Sequence, residues 1–210
     1  MTRTAIFLTA SALAALLLGG CATPASERYY RLAYPLNGAA GTGTGASADA
    51  PAAIRYELVV GSVQIPEAIN RAQLVVQKSD TEALISDDQR WVAPLDEQIG
   101  QAVLAGLRSR LPGAWLASSS TVSAVPAPGM PRYHLKVQVE QLLIQSGDKV
   151  TLEAGWVVQD GSRKLLKRER TVIVVPLRGP GYDPVAPAVS EAVQQLCAAL
   201  AKSVQAAGAS

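Results

Sequence analysis

Tyr133-His134-Leu135-Lys136-Val137-Gln138-Val139-Glu140 and, ten residues on, Val150-Thr151-Leu152-Glu153-Ala154-Gly155-Trp156-Val157-Val158 decide the fold. In both runs apolar residues take every second place, the period of a strand with one covered face and one wetter face. Ser146-Gly147-Asp148 makes the turn between them, and Asp160-Gly161 is a hairpin signal leading to a third strand from Leu165 to Val175. The outcome is an antiparallel meander.

Working outward, Pro184 to about Ala206 places Val185, Val189, Val193, Leu196, Leu200 and Val204 at helical spacing. Upstream, Leu95, Ile99, Val103, Leu107 and Leu111 recur every four residues in a helix expected over Trp91 to Leu111, stopped by Pro112-Gly113. Before it, Ile54, Tyr56, Leu58 and Val60 alternate as a half-buried strand that changes phase at Gly61 and ends at Pro66. Leu74–Gln77 and Ala83–Ile85 are short strand candidates, as is Arg28–Leu32. Residues 37–53 and 117–131 are loops rich in small residues and proline. The expected fold is of the α/β (α+β) type, a two-layer sandwich. A mostly antiparallel sheet carries two long amphipathic helices on one face.

The amino terminus carries a different signal. Arg3 precedes an apolar run, Ala5 to Leu18, and Gly19-Gly20 lead into Cys21. Such a run is short for a span, which needs about twenty apolar residues, and has the layout of an export signal. Leu18-Gly19-Gly20-Cys21 resembles the bacterial lipobox, which implies an acylated, palmitate-bearing Cys21 as the first residue of the mature protein. The expected organisation is a signal peptide at 1–20, a lipidated tether at 21–27 and one periplasmic domain at 28–207 with a flexible loop at 37–53. With Cys21 lipidated, Cys197 has no partner for a disulfide. It falls in the apolar helix stripe and is expected to be inert.

Chemistry is sparse. The formal net charge is +2, which makes no electrostatic case for nucleic acid. His134 is the single histidine and lies on the polar side of its strand, where an exposed position is expected. No His/Cys cluster has zinc spacing, and there is no nucleophile elbow. No cofactor, metal site or catalytic residue is expected. Asp87-Asp88 reads as acidic enrichment before a helix. Arg163-Lys164 and Lys167-Arg168-Glu169-Arg170 form a cationic strand. It reads as a charged edge that discourages strand addition, or as a contact for anionic head groups or an acidic partner. Trp91, Trp115 and Trp156 are expected in the core.

Three stretches resemble the auxiliary lipoprotein family of ABC-type transport systems, of the paraquat-inducible protein C type. They are Tyr29-Tyr30-Arg31-Leu32; Val60-Gly61-Ser62-Val63-Gln64-Ile65-Pro66-Glu67-Ala68-Ile69-Asn70-Arg71-Ala72-Gln73-Leu74-Val75; and Trp91-Val92-Ala93-Pro94-Leu95. Loop 37–53 is longer than the family pattern, and Ser62 stands where proline is expected. The resemblance implies a non-enzymatic component of an envelope lipid-transport system, with an MCE-domain protein and ABC transporter subunits as partners. It would contribute to envelope integrity by docking that assembly at the membrane. Ala22 after the cysteine implies sorting to the inner leaflet of the outer membrane, facing the periplasm. Pro66, Arg71 and Trp91 are the residues expected to hold structure or an interface: Pro66 ending a strand, Arg71 forking onto a carboxylate or carbonyls, Trp91 pinning the helix start. A periplasmic lipid carrier or chaperone, with acyl chains between helices and sheet, is the alternative reading, and a tethered enzyme a third. Exposed strand edges leave a homo-oligomeric ring open.

Overall fold

A computed structural model describes residues 26–34, 53–119 and 129–208. Cys21, the signal segment and nearly all of loop 37–53 lie outside the described residues, as does much of loop 117–131. The elements in order are β1 (Arg28–Tyr30), β2 (Tyr56–Val60), β3 (Gln73–Gln77), β4 (Ala83–Trp91), α1 (Leu95–Arg110), β5 (Ala114–Ser118), β6 (Arg132–Gln145), β7 (Lys149–Asp160), β8 (Leu165–Pro176) and α2 (Val185–Ala206).

Strand β6 organises the sheet. On one side it pairs along its length with β7, which pairs with β8, both antiparallel. Its other edge is shared: β2 runs parallel to residues 132–135, Gln64 bridges to Gln138, and β3 meets Gln145. Beyond β2 lies β5, and beyond β3 lie β4 and then β1. Among the described strands four of the seven pairings are therefore parallel, and the sheet is mixed. This corrects the expectation of a mostly antiparallel sheet. Alternation reports which face a residue takes but carries no information on which edge its strand pairs with. Helix α1 supplies the missing step: it carries the chain back along the sheet, so β5 enters in the same direction as β2. Such a crossover connection is what parallel neighbours require.

Several local expectations change as well. Strand β4 continues through Asp87-Asp88 to Trp91, so those carboxylates sit on a strand and not at a helix start. Helix α1 begins only after Pro94, whose ring suits the position before the first turn. Strand β5 falls where no element is expected. Strand β2 is buried at every position, Glu57 and Val59 included, because it lies between two other strands. Trp91 and Trp156 are in the core, whereas Trp115, on edge strand β5, is 57 % exposed.

The helices share one core with the sheet. Ile99, Val103 and Leu107 of α1 join Val189, Val193, Leu196 and Leu200 of α2 over Leu135, Leu152 and Val158. Each large aliphatic side chain fully withdrawn from water contributes roughly 1.5–3 kcal/mol. Where they meet, a Cβ on Gly106 would lie 2.6 Å from Cys197 Sγ, so only glycine permits this helix spacing. Burial pushes the Cys197 thiol up to about 11, leaving it un-ionised and chemically quiet. Helix α1 carries Asp96 and Glu97 in its first turn and Arg108 and Arg110 in its last, matching the helix dipole. No described helix is long and apolar enough to cross a membrane.

Candidate functional site

Two regions gather the residues of interest. The first is where the amino-terminal segment meets the helices. Pro66 opens a turn in which its carbonyl accepts the amides of Ile69 and Asn70, each at 3.1 Å. Asn70 Oδ1 then accepts the Asp96 amide at 3.3 Å, so this turn satisfies one of the open donors of α1. Arg71 is half-buried, and its Nε makes no hydrogen bond among the described residues. Trp91 ends β4 opposite Tyr30, and its amide donates to the Ala72 carbonyl at 2.6 Å. Pro66, Arg71 and Trp91 thus belong to one junction, where the 66–72 segment meets the end of β4 and the start of α1. Leu32 N–H reaches Gln98 Oε1 of α1 at 3.0 Å, and Ala33 N–H reaches Ser190 Oγ of α2 at 2.9 Å.

The second region is the sheet face turned away from the helices. Residues of β6, β7 and β8 on this face line a concavity of about 760 Å³, with Ser62 and Gln64 on its rim. Lys136 stands opposite Val157, which stands opposite Arg168; one rung along, Gln138, Gly155 and Arg170 make the same row. Arg170 is held by Glu140 at 2.9 Å and by Glu153. Arg163, at the β7–β8 hairpin, has φ of 68°, a left-handed conformation unusual for a residue with a Cβ. The side chain of Asp160 fixes that hairpin by accepting the amides of Ser162 at 2.9 Å and Lys164 at 3.0 Å. The Ser162 hydroxyl, which donates to the same carboxylate at 2.7 Å, and then those amides keep the Asp160 carboxyl below the usual carboxylate range.

His134 lies at the end of this concavity and is only 7 % exposed, which corrects the expectation of an exposed position. Neighbouring strand β2 pairs Val59 against it, so a polar-face residue is covered all the same. Burial first, then the charges of Arg163 and Arg132, push His134 below the ordinary histidine value. The unfolded chain therefore takes up a proton that the folded chain resists. Stability is full above the ordinary value, near pH 6.5, and is lost as pH falls toward the depressed folded one. We expect the thermal midpoint to drop between pH 7 and 5, with a slope of at most about 1.4 kcal/mol per pH unit. Since His134 is the single histidine, His134→Gln should flatten the slope in that window; thermal melts in which it persists would refute the assignment.

Among the described residues no group of three or more His, Cys, Asp or Glu side chains is placed to hold a metal ion. The space between helices and sheet is filled by side chains such as Leu152, Val193 and Leu200, all fully buried. Sequence reasoning marked the cationic strand β8 but missed Lys136 and the concavity, because only the register brings strands β6 and β8 to either side of one floor.

Comparison with known proteins adds to this geometry. The chain is 25% identical over 194 residues to the intermembrane transport lipoprotein PqiC of Escherichia coli (strain K12), covering 92% of this chain and 95% of that protein. The same figures hold for PqiC of Shigella flexneri. Its fold is similar to the crystal structure of protein XCC0632 from Xanthomonas campestris, with a TM-score of 0.65 and 14% identity over 86% of this chain and 96% of that one. A crystal structure of an uncharacterised protein is similar too, with a TM-score of 0.64 and 20% identity over 85% and 99%. The model of the ABC-type transport auxiliary lipoprotein component family matches residues 34–201, from Tyr34 beside α1 almost to the end of α2, and the chain belongs to that family.

Proposed function

We propose that this protein is a non-enzymatic, lipid-anchored subunit of an intermembrane lipid-transport system. It docks an MCE-domain protein and its ABC transporter at the periplasmic side of the outer membrane. The observation that carries the reading is the similarity to an intermembrane transport lipoprotein along nearly the whole chain. The tether supports it. Residues 22–27, fully extended, reach at most about 21 Å, so lipid on Cys21 would hold the β1 edge close to the bilayer. One acyl chain binds a membrane only marginally, whereas two or three hold it stably. The filled core favours docking over the carrier reading, which needs room for acyl chains between helices and sheet.

Two measurements test the proposal. Cys21→Ser should abolish palmitate labelling and release the protein from the membrane fraction; label that persists in this variant refutes the anchor. Wild-type protein pulled from detergent-solubilised envelopes should bring transporter subunits with it. Recovery of the protein without them would count against docking.

A further inference from the structure

We propose that the concavity on the open face of the sheet binds one phospholipid, with its phosphate between Lys136 and Arg168 and its acyl chains along Val172 and Val174. The inference rests on the lipid-transport reading for the source of the ligand, and on geometry for the site.

Charge comes first. Lys136, Arg163 and Arg168 line the concavity, and none makes an ion pair among the described residues. The only Asp or Glu side chain outside those residues is Asp49. The neighbouring glutamates are engaged elsewhere: Glu140 and Glu153 share Arg170, and Glu169 is paired with Lys167 at 3.0 Å. Lys136, Arg163 and Arg168 thus leave a positive excess around the concavity, about two charges once Arg170 is set against Glu140 and Glu153, on a chain whose net charge is only +2.

Shape comes second. Lys136 and Arg168 flank Val157 across three adjacent strands. At the usual strand spacing their backbones stand about 10 Å apart, a gap that a lysine and an arginine side chain close onto one phosphate. Beside them the floor over Gly155 is taken by the Glu140 carboxylate, whose Oε1 lies 3.0 Å from where a Cβ would stand. The guanidinium offers paired donors for phosphate oxygens and the ammonium a point charge. Ser62, Gln64 and Gln138 supply neutral polar groups for the rest of a head group. The volume falls inside the range of about 300–1,000 Å³ typical of small-molecule sites.

Continuity with an apolar strip selects a lipid over a soluble anion or an acidic protein segment. On β8 the outward positions after Arg168 and Arg170 are Val172 and Val174, which are 57 % and 53 % exposed. Polar donors therefore give way, along one strand face, to uncovered aliphatic surface, the order of groups found in a phospholipid.

The test uses the full mature protein in detergent and calorimetric titration with three probes: dihexanoyl phosphatidylglycerol, dihexanoylglycerol and inorganic phosphate. Wild type should bind the phospholipid saturably and the neutral glyceride far more weakly. Lys136→Gln with Arg168→Gln should weaken phospholipid binding by about tenfold or more, the order of one charge-assisted hydrogen bond. Lys78→Gln with Arg178→Gln, an equal charge change at exposed sites elsewhere, should leave it unchanged. Val172→Ser with Val174→Ser should weaken the phospholipid but not phosphate. The lipid site is overturned if the glutamine pair binds phospholipid as wild type does. It is equally overturned if inorganic phosphate binds as tightly as the lipid, which would make free phosphate the ligand. Recovery of transporter subunits should be the same for the glutamine pair as for wild type, so loss of lipid binding and loss of docking are told apart.

Discussion

Replacing Trp91 with alanine is expected to lower the free energy of unfolding by about 3–5 kcal/mol, the range for a large aromatic removed from a packed core. Trp91 is 3 % exposed, at the meeting point of β1, β4 and the approach to α1. Its backbone is already committed: the amide is bonded to the Ala72 carbonyl, and the next residue, Val92, donates to the Tyr30 carbonyl at 2.8 Å. Those bonds survive the substitution, so the strands cannot move together to fill the space. The cavity term should therefore be felt nearly in full. A domain of this size is stable by only about 5–15 kcal/mol, so this one change would remove a large share. Trp115→Ala is the contrast, since that indole is mostly in water and its loss should stay within about 0.5 kcal/mol. Urea titrations with a common slope would measure both. Equal midpoints for the two variants would mean that the Trp91 side chain does not support the junction.

How much of this was legible beforehand depends on the period and length of each segment. Strands β6, β7 and β8 each run for a dozen residues or more with clear alternation, and the helices repeat every three or four residues, so their type followed from pattern alone. Cys197 in the stripe of α2 is buried as that position implied. What pattern could not supply was pairing. Strand β5 is five residues between a Pro-Gly stop and a small-residue loop, too short to register a period. Its place beside β2 is a consequence of where α1 ends. His134 failed for a related reason: a polar residue on the wetter face was covered by a neighbouring strand that pairing alone puts there. The concavity is less legible still. Lys136 and Arg168 are thirty-two positions apart in sequence, and only two successive antiparallel registers set them on either side of Val157. Gly155 and the left-handed Arg163 carry no sequence signal stronger than that of any turn glycine or charged residue.

Gln98→Leu should cost about 2–4 kcal/mol, although it keeps the side-chain volume nearly constant, because it leaves the buried Leu32 amide without a partner at about 1–3 kcal/mol, with a smaller loss at the half-buried Ala93 carbonyl. Gln98 is 6 % exposed; its Oε1 accepts the Leu32 amide and its Nε2 donates to the Ala93 carbonyl at 2.8 Å. The segment it holds is unusual in being fastened by helix side chains and not by a ladder. Beyond Tyr30, where β1 ends, Ala33 is held by Ser190, and Tyr34 Oη donates to Gln101 Oε1 at 2.8 Å. Ser190 in turn donates to the Ala186 carbonyl at 2.6 Å, which fixes its hydroxyl for the incoming amide. With Gln98 replaced, the 31–34 segment should open locally while β6 and β7, buried and doubly paired, stay closed. Amide exchange at Leu32 and Ala33 should accelerate by roughly thirtyfold or more, the counterpart of 2 kcal/mol, with no matching change at Leu135 or Leu152. This strap is not the sole tie of β1 to the helix layer, since Arg28 and Tyr30 both reach Asp183 at 3.2 Å and β1 stays paired with β4, so its release should remain local. Uniform acceleration across strap and sheet would instead mean that the strap has no independent opening and that Gln98 serves the core as a whole.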